Sequence, residues 1–268
     1  MNFSVLLSVY RKENPKYLKQ SIDSIFTQTV PPTEIVMVED GPLTDELYKV
    51  LDGYKKDPRW KAVPLTENVG LGKALNAGLE ACSYELVARM DTDDIAKPER
   101  FEKQLAAFAA DPELSLCGTQ AAEFRDTPEN VTAHKKVPLT DEEIRQYARK
   151  RNPFNHPTVM YKKSEVLRAG SYQHAMWFED YYLWARMLAQ GSKTRNLPEE
   201  LLWFRAGEDM RLQVCEECGF GKAQDLEAGR VRVRGLSGLR RGAGRSGADA
   251  QRIAAAVLSE IPAEGRKR

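Results

Sequence analysis

The chain predicts an α/β fold, a largely parallel sheet with helices packed on its faces, and three observations lead there. Short, near-continuous apolar runs recur at Phe3–Val9, 35–38 and 86–88, the pattern of strands buried on both sides. Stretches with helical spacing separate them, and this strand–helix alternation belongs to doubly wound sheets. The residues that end the runs are carboxylates, amides and glycines, as expected where ligands bind beyond the carboxyl ends of strands.

The first run is followed by Asn14-Pro15, a helix start, and by Tyr17, Leu18, Ile22, Ile25 and Phe26 at helical spacing. Residues 35–38 form the second strand and end in Glu39-Asp40-Gly41-Pro42. A helix over 43–54 and a short strand over Trp60–Pro64 follow. Asn68-Val69-Gly70-Leu71-Gly72-Lys73 is a glycine-bearing loop feeding a helix, either a phosphate site with Lys73 as a partner or a tight packing turn. It matches neither the GxGxxG fingerprint nor a Walker loop.

Residues 86–88 lead into Arg89-Met90-Asp91-Thr92-Asp93-Asp94, which has three carboxylates within four positions. Crowded carboxylates repel one another, and hard oxygen ligands at a strand end suit Mg²⁺ or Mn²⁺. The alternative is a solvated acidic turn capping the next helix, the role expected of Asp94 in particular.

Pro98 opens an amphipathic helix to 110, a strand covers 114–118, and 125–137 reads as a polar loop. A charged helix over 141–151, a rigid turn over 152–157 and a strand over 158–161 come next. His156, close to two prolines, reads as a hydrogen-bonded turn residue or a catalyst. The stretch 177–184 concentrates Trp177, Phe178, Glu179, Asp180, Tyr181, Tyr182 and Trp184. Leu183, Trp184, Met187 and Leu188 mark a buried helix face, so Glu179 and Asp180 fall in the first turn, where the helix dipole favours negative charge. They serve there as caps, or as a general base in a sugar pocket lined by Trp177 and Tyr181.

A length of 268 residues suits one large α/β domain with an appendage. Charge balance is near neutral, with a formal net charge of +1, which argues neither for nucleic acid nor for a strongly charged partner, and no nucleic-acid partner is expected. Cys82 and Cys117 sit in apolar stretches, and Cys215 and Cys218 form a lone CxxC that is weak evidence for zinc. Reduced thiols and the lack of any apolar run near the ~18 residues of a membrane span predict a cytoplasmic protein. The N-terminal residues read as a strand rather than a leader.

With these pieces in place, the chain resembles the family 2 inverting glycosyltransferases of the GT-A fold, a Rossmann-like mixed sheet flanked by helices. The likeness is to bacterial exopolysaccharide and lipopolysaccharide transferases of the amylovoran galactosyltransferase type. It rests on SVYRKENPKYLKQSIDSIFTQT, IVMVEDG, NVGLGKALNAG, ARMDTDDIAKPERFEKQ, HPTVMYKKS and FEDYYLWARML, in the family's order across residues 1–210. The resemblance implies a nucleotide-sugar-binding half over 1–118 and an acceptor-binding half over 119–210. Ser8, Tyr10, Asp40 and Asn68 would hold the nucleotide, with Asp40 on a uracil base. Asp91 would bind ribose or metal, Asp93 would ligate Mn²⁺ or Mg²⁺, and Asp180 would be the catalytic base. Glu179, Trp177 and His156 are candidates for the acceptor side. The implied partners are a nucleotide-sugar donor and a glycan or lipid-linked acceptor, with peripheral contact at the inner membrane face.

Two other functions compete with this one. A sugar nucleotidyltransferase needs a basic glycine loop after the first strand, where this chain has SVYRKENP. A sugar-nucleotide-binding protein inactive in transfer would follow if the C-terminus is disabled. Residues 211–268 do break the pattern, holding half of all glycines and one aromatic, Phe220. The arginine–glycine runs near 230–235 and 240–245 lack periodicity, which predicts disorder, and they match what a frameshifted GC-rich gene encodes. An RNA-binding arm is the competing reading, against which stands the scarcity of stacking aromatics. Residues 249–261 alone have helical spacing there.

Overall fold

The strands of the computed structural model, which describes residues 1–173 and 178–206, sort their side chains by the strict alternation of a pleated sheet. Strand β1 (Phe3–Val9) sends Phe3, Val5, Leu7 and Val9 to one core and Leu6 to another. Strand β2 (Glu34–Glu39) does the same, with Ile35 and Met37 opposite Val36 and Val38. Both faces are therefore apolar, and helices cover both.

Helix α1 (Pro15–Phe26) starts where Asn14 accepts the amide of Lys16 at 2.9 Å, with Pro15 at its first position. Helix α2 (Asp45–Asp52), strand β3 (Trp60–Pro64), helix α3 (Leu71–Ala81) and strand β4 (Leu86–Arg89) complete the first half. Then follow strand β5 (Ile95–Ala96), helix α4 (Arg100–Ala110), strand β6 (Leu114–Phe124) and strand β7 (Val131–Lys135). Helix α5 (Asp141–Ala148) opens on a capping box between Thr140 and Glu143. A 3₁₀ turn (His156–Thr158), strand β8 (Met160–Lys162), helix α6 (Lys163–Arg168), helix α7 (Glu179–Ala189) and strand β9 (Lys193–Arg205) close the described chain.

The sheet runs β3-β2-β1-β4-β8-β6-β9-β5, with β7 paired to β6. Strands β1 to β4 are mutually parallel where they pair, and β8 enters antiparallel between β4 and β6. This is the mixed α/β sheet expected. Consecutive connections leave β1 toward β2 on one side and arrive at β4 on the other, so the carboxyl ends of β1, β2 and β4 meet at a switch in strand order.

Two expectations change. The polar loop over 125–137 contains β7, a short edge strand whose mostly exposed residues include only Val131 and Ala133 as apolar side chains. Strand β9, not anticipated, pairs parallel with β6 and slips register between Leu197 and Glu200, which places Pro198 in a bulge where a missing amide costs little. Cys82 and Cys117 are buried free thiols, as expected. Trp177 and the whole of 211–268, including Cys215, Cys218 and the helix expected at 249–261, lie outside the described residues. Among the described residues no helix is long and apolar enough to cross a membrane.

Candidate active site

Three groups of residues line the carboxyl edge of the sheet. The first is built on the β2 end. Asp40 is buried, and its two carboxylate oxygens accept from the Val69 amide at 2.8 Å and from Asn68 Nδ2 at 3.0 Å. Gly41 makes this possible: its φ is +81°, and a Cβ there would lie 2.6 Å from the Asn68 nitrogen. Asp40 and Asn68 thus form one unit, and each Asp40 oxygen keeps a lone pair for a further donor. Ser8, at the end of β1, accepts from Thr92 Oγ1 at 3.4 Å through its carbonyl, and Tyr10 beyond it is 44% exposed.

The second group is the acid cluster. Asp91, Asp93 and Asp94 each offer a carboxylate oxygen within 4.8 Å of the others. Asp91 forms an ion pair with Arg89. Asp93 is pushed up to about 7 by burial and by the charges of Asp91 and Glu13. Asp94 is likewise raised well above the usual carboxylate range, chiefly by burial, then by Asp93 and Asp91. Asp94 is not a helix cap: α4 starts at Arg100 behind Glu99, while Asp94 accepts the Arg205 amide at 2.9 Å and ties the cluster to β9. Its Oδ2 is buried without a partner. An orphaned oxygen among crowded hard donors fits a divalent cation in charge and chemistry.

The third group surrounds Asp180 in the first turn of α7. Its oxygens accept from Asn152 Nδ2 and from the Tyr181 amide, each at 2.6 Å. Burial raises its pKa, while those two hydrogen bonds and the charge of Arg89 oppose the shift. Tyr181 turns inward and donates to the Ala148 carbonyl, so it supports the helix rather than lining a pocket. Glu179 packs on α3, its Cγ 3.2 Å from where a Gly72 Cβ would stand. The Asn68–Gly70 loop and the Asp180 turn are therefore joined through the first turn of α3, where Lys73 is exposed. His156 sits in the 3₁₀ turn with Nε2 3.1 Å from Tyr172 Oη, and burial with the Arg89 charge holds it well below its usual pKa.

A model of glycosyl transferase family 2 matches residues 4–173. The chain belongs to that family. It is 47% identical over 208 residues to the amylovoran biosynthesis glycosyltransferase AmsE of Erwinia amylovora, covering 78% of this chain and 77% of that one. It is 37% identical over 207 residues to the UDP-Gal:alpha-D-GlcNAc-diphosphoundecaprenol beta-1,3-galactosyltransferase of Escherichia coli, covering 77% and 75%. Among solved structures, S. aureus TarS 1-349 in complex with UDP-GlcNAc superposes with a TM-score of 0.62 at 20% identity, over 78% of this chain and 59% of that one. That likeness supports the GT-A fold.

Within this glycosyltransferase, three residues of the site escaped the sequence reading. Glu13 accepts from Thr92 Oγ1 at 2.6 Å and adds a fourth carboxylate beside Asp93. Arg205 donates to the Asp93 carbonyl at 2.8 Å and is stacked between Tyr17 and Phe124. Arg89 is almost wholly buried beneath the cluster. Each is a single charged residue in a charge-rich stretch, and only the tertiary structure singles it out.

Proposed function

We propose that this family 2 transferase moves a hexose, with inversion, from a UDP-linked donor to a glycan or lipid-linked acceptor in surface polysaccharide assembly. The observation that carries the proposal is the meeting, at one sheet edge, of a carboxylate cluster suited to a cation and a separate aspartate whose burial raises its proton affinity. Residues 1–118 supply the first and 119–210 the second. The relatives' names supply the donor and acceptor classes, a UDP-linked galactose and a diphosphoundecaprenol-linked sugar in the E. coli enzyme. A lipid-linked acceptor would bring the chain to the inner membrane face.

Asp40 and Asn68, with Ser8 and Tyr10, bind the nucleotide, and Asp40 accepts from the base. Asp91 and Asp93, with Asp94 behind them, would hold Mn²⁺ or Mg²⁺, which when bound offsets the charge growing on the departing diphosphate. Asp180 takes the proton of the acceptor hydroxyl. As it does so, the acceptor oxygen bonds to the anomeric carbon and the bond from that carbon to the diphosphate oxygen breaks on the opposite face. One displacement gives inversion. Asn152 and the Tyr181 amide fix the orientation of the Asp180 carboxylate throughout.

Isothermal calorimetry with a panel of UDP-, GDP- and dTDP-sugars, with Mn²⁺ and with EDTA, tests this reading. UDP-sugars should bind with heat that depends on the cation. Equal response to every donor, or full binding in EDTA, would contradict it.

A further inference from the structure

Arg89 ends β4, two residues before Asp91, and is 1% exposed. Burying a guanidinium is costly unless its donors are met. Nη2 meets Asp91, but Nε and Nη1 have no partner. A second buried guanidinium, Arg100, gives Nη2 to the Arg89 carbonyl at 2.7 Å, while the Arg89 amide donates to Val159 at 2.8 Å. The backbone of Arg89 is therefore clamped on both sides, and its side chain is aimed by a rigid frame.

What lies around the unpaired edge is informative. Pairing of β4 with β8 sets Val87 against Tyr161, so Arg89 falls beside Val159, directly after the His156 turn. One other buried polar atom without a partner, Trp184 Nε1, belongs to this same region, as does the buried Tyr161 hydroxyl, which faces that of Tyr172. Their rings pack at 6.4 Å, Trp184 lies 5.9 Å from His156, and His156 meets Tyr172. The charge of Arg89 is felt at His156, Tyr161, Tyr172 and Asp180 on one side and at Asp93 and Asp94 on the other.

We propose that Arg89 is a positioning residue for both halves of the reaction: it holds Asp91 in the cation cluster and presents its remaining N–H groups to the packed cluster of Tyr161, Tyr172, His156 and Trp184 on the Asp180 side. The second half of this inference rests on Asp180 as the base. The unmet donors of Arg89 and Trp184 then mark a polar patch through which the guanidinium's charge reaches the acceptor side. The groups facing Asp180 are Asn152, the Tyr181 amide, Tyr172 and Arg89, with Glu179 adjacent on its own helix. Arg89 is the cation among those groups. It favours the ionised base, so its loss should move the acid limb of the kcat–pH profile to higher pH.

The test uses full-length Arg89→Gln and Arg89→Lys, with Mn²⁺ affinity measured by calorimetry without donor and kcat measured across pH. Arg89→Gln should lose about tenfold or more in Mn²⁺ affinity, the usual cost of removing a partner of a ligating group, and its acid limb should move upward. Arg89→Lys keeps the charge but not the fork, so its limb should stay in place while Mn²⁺ affinity falls. Wild-type values for both quantities in Arg89→Gln, or a change on one side only, would overturn the proposal. If Arg89→Gln does not fold, Arg89→Lys decides: a shifted limb or an unchanged Mn²⁺ affinity overturns it. An acid limb that persists in Asp180→Asn would place the failure in the base assignment instead.

Discussion

Asp93 shows how one residue can be unfavourable for the fold and yet suit the proposed cation site. Its carboxyl is raised to about 7 because burial, Asp91 and Glu13 all oppose its charge. An acid whose folded pKa lies above its unfolded one contributes stability that is complete below the unfolded value, near 4, and is lost as pH rises through the folded value. The cation-free protein should therefore lose stability between about pH 4 and 7 through this group. Asp93→Asn should remove that part of the slope and raise Tm in EDTA at pH 8, with little effect at pH 4, as thermal melts would show. A lower Tm for Asp93→Asn at pH 8 would mean the carboxylate is already satisfied. The acids themselves were legible in the sequence because Asp91 to Asp94 are crowded along the chain and Asp40 and Asp180 sit in recognisable motifs. Their partners were not. Arg89 and Glu13 acquire meaning only when β4 and the loop after β1 bring them together, and Asn152 only when its side chain reaches Asp180 across 28 positions.

At the scale of elements, α3 joins the two halves of the site. Gly78 lets it lie flat on the sheet: a Cβ there would stand 2.3 Å from Leu6 Cδ1 and 2.6 Å from Val38 Cγ2. Gly78→Ala should destabilise the protein by about 1–3 kcal/mol through overpacking, despite alanine's better helix propensity, and urea melts would measure it. A stabilising effect would show that helix and sheet have room between them. On the opposite side of α3, Asn76 pairs with both main-chain groups of Tyr172, at 2.7 and 3.0 Å, and so fixes the segment leading to His156's partner. Elements with one dominant periodicity were readable in advance, notably β1, β2, β4, α1 and α7. Strand β9 was not, because Pro198 and its flanking glutamates interrupt any apolar pattern, and its pairing with β6 is settled by contacts made some 80 residues away.

For the whole molecule, strand order places the ends of β1, β2 and β4 together and brings the Asp180 helix against α3. Nothing in the local sequence encodes that β8 enters antiparallel between β4 and β6, yet this insertion carries Arg89, Tyr161 and the His156 turn into one neighbourhood. The acid cluster and Asp180, separate along the chain, thereby both come under the charge of Arg89, a juxtaposition that the proposed single displacement requires. The most direct measurement is transfer by Asp180→Asn alongside calorimetric donor binding by the same variant. Donor affinity should stay within about threefold of wild type while kcat falls at least about a hundredfold, the usual contribution of a positioned general base. Near-normal transfer by Asp180→Asn, with donor bound as in the wild type, would contradict that role.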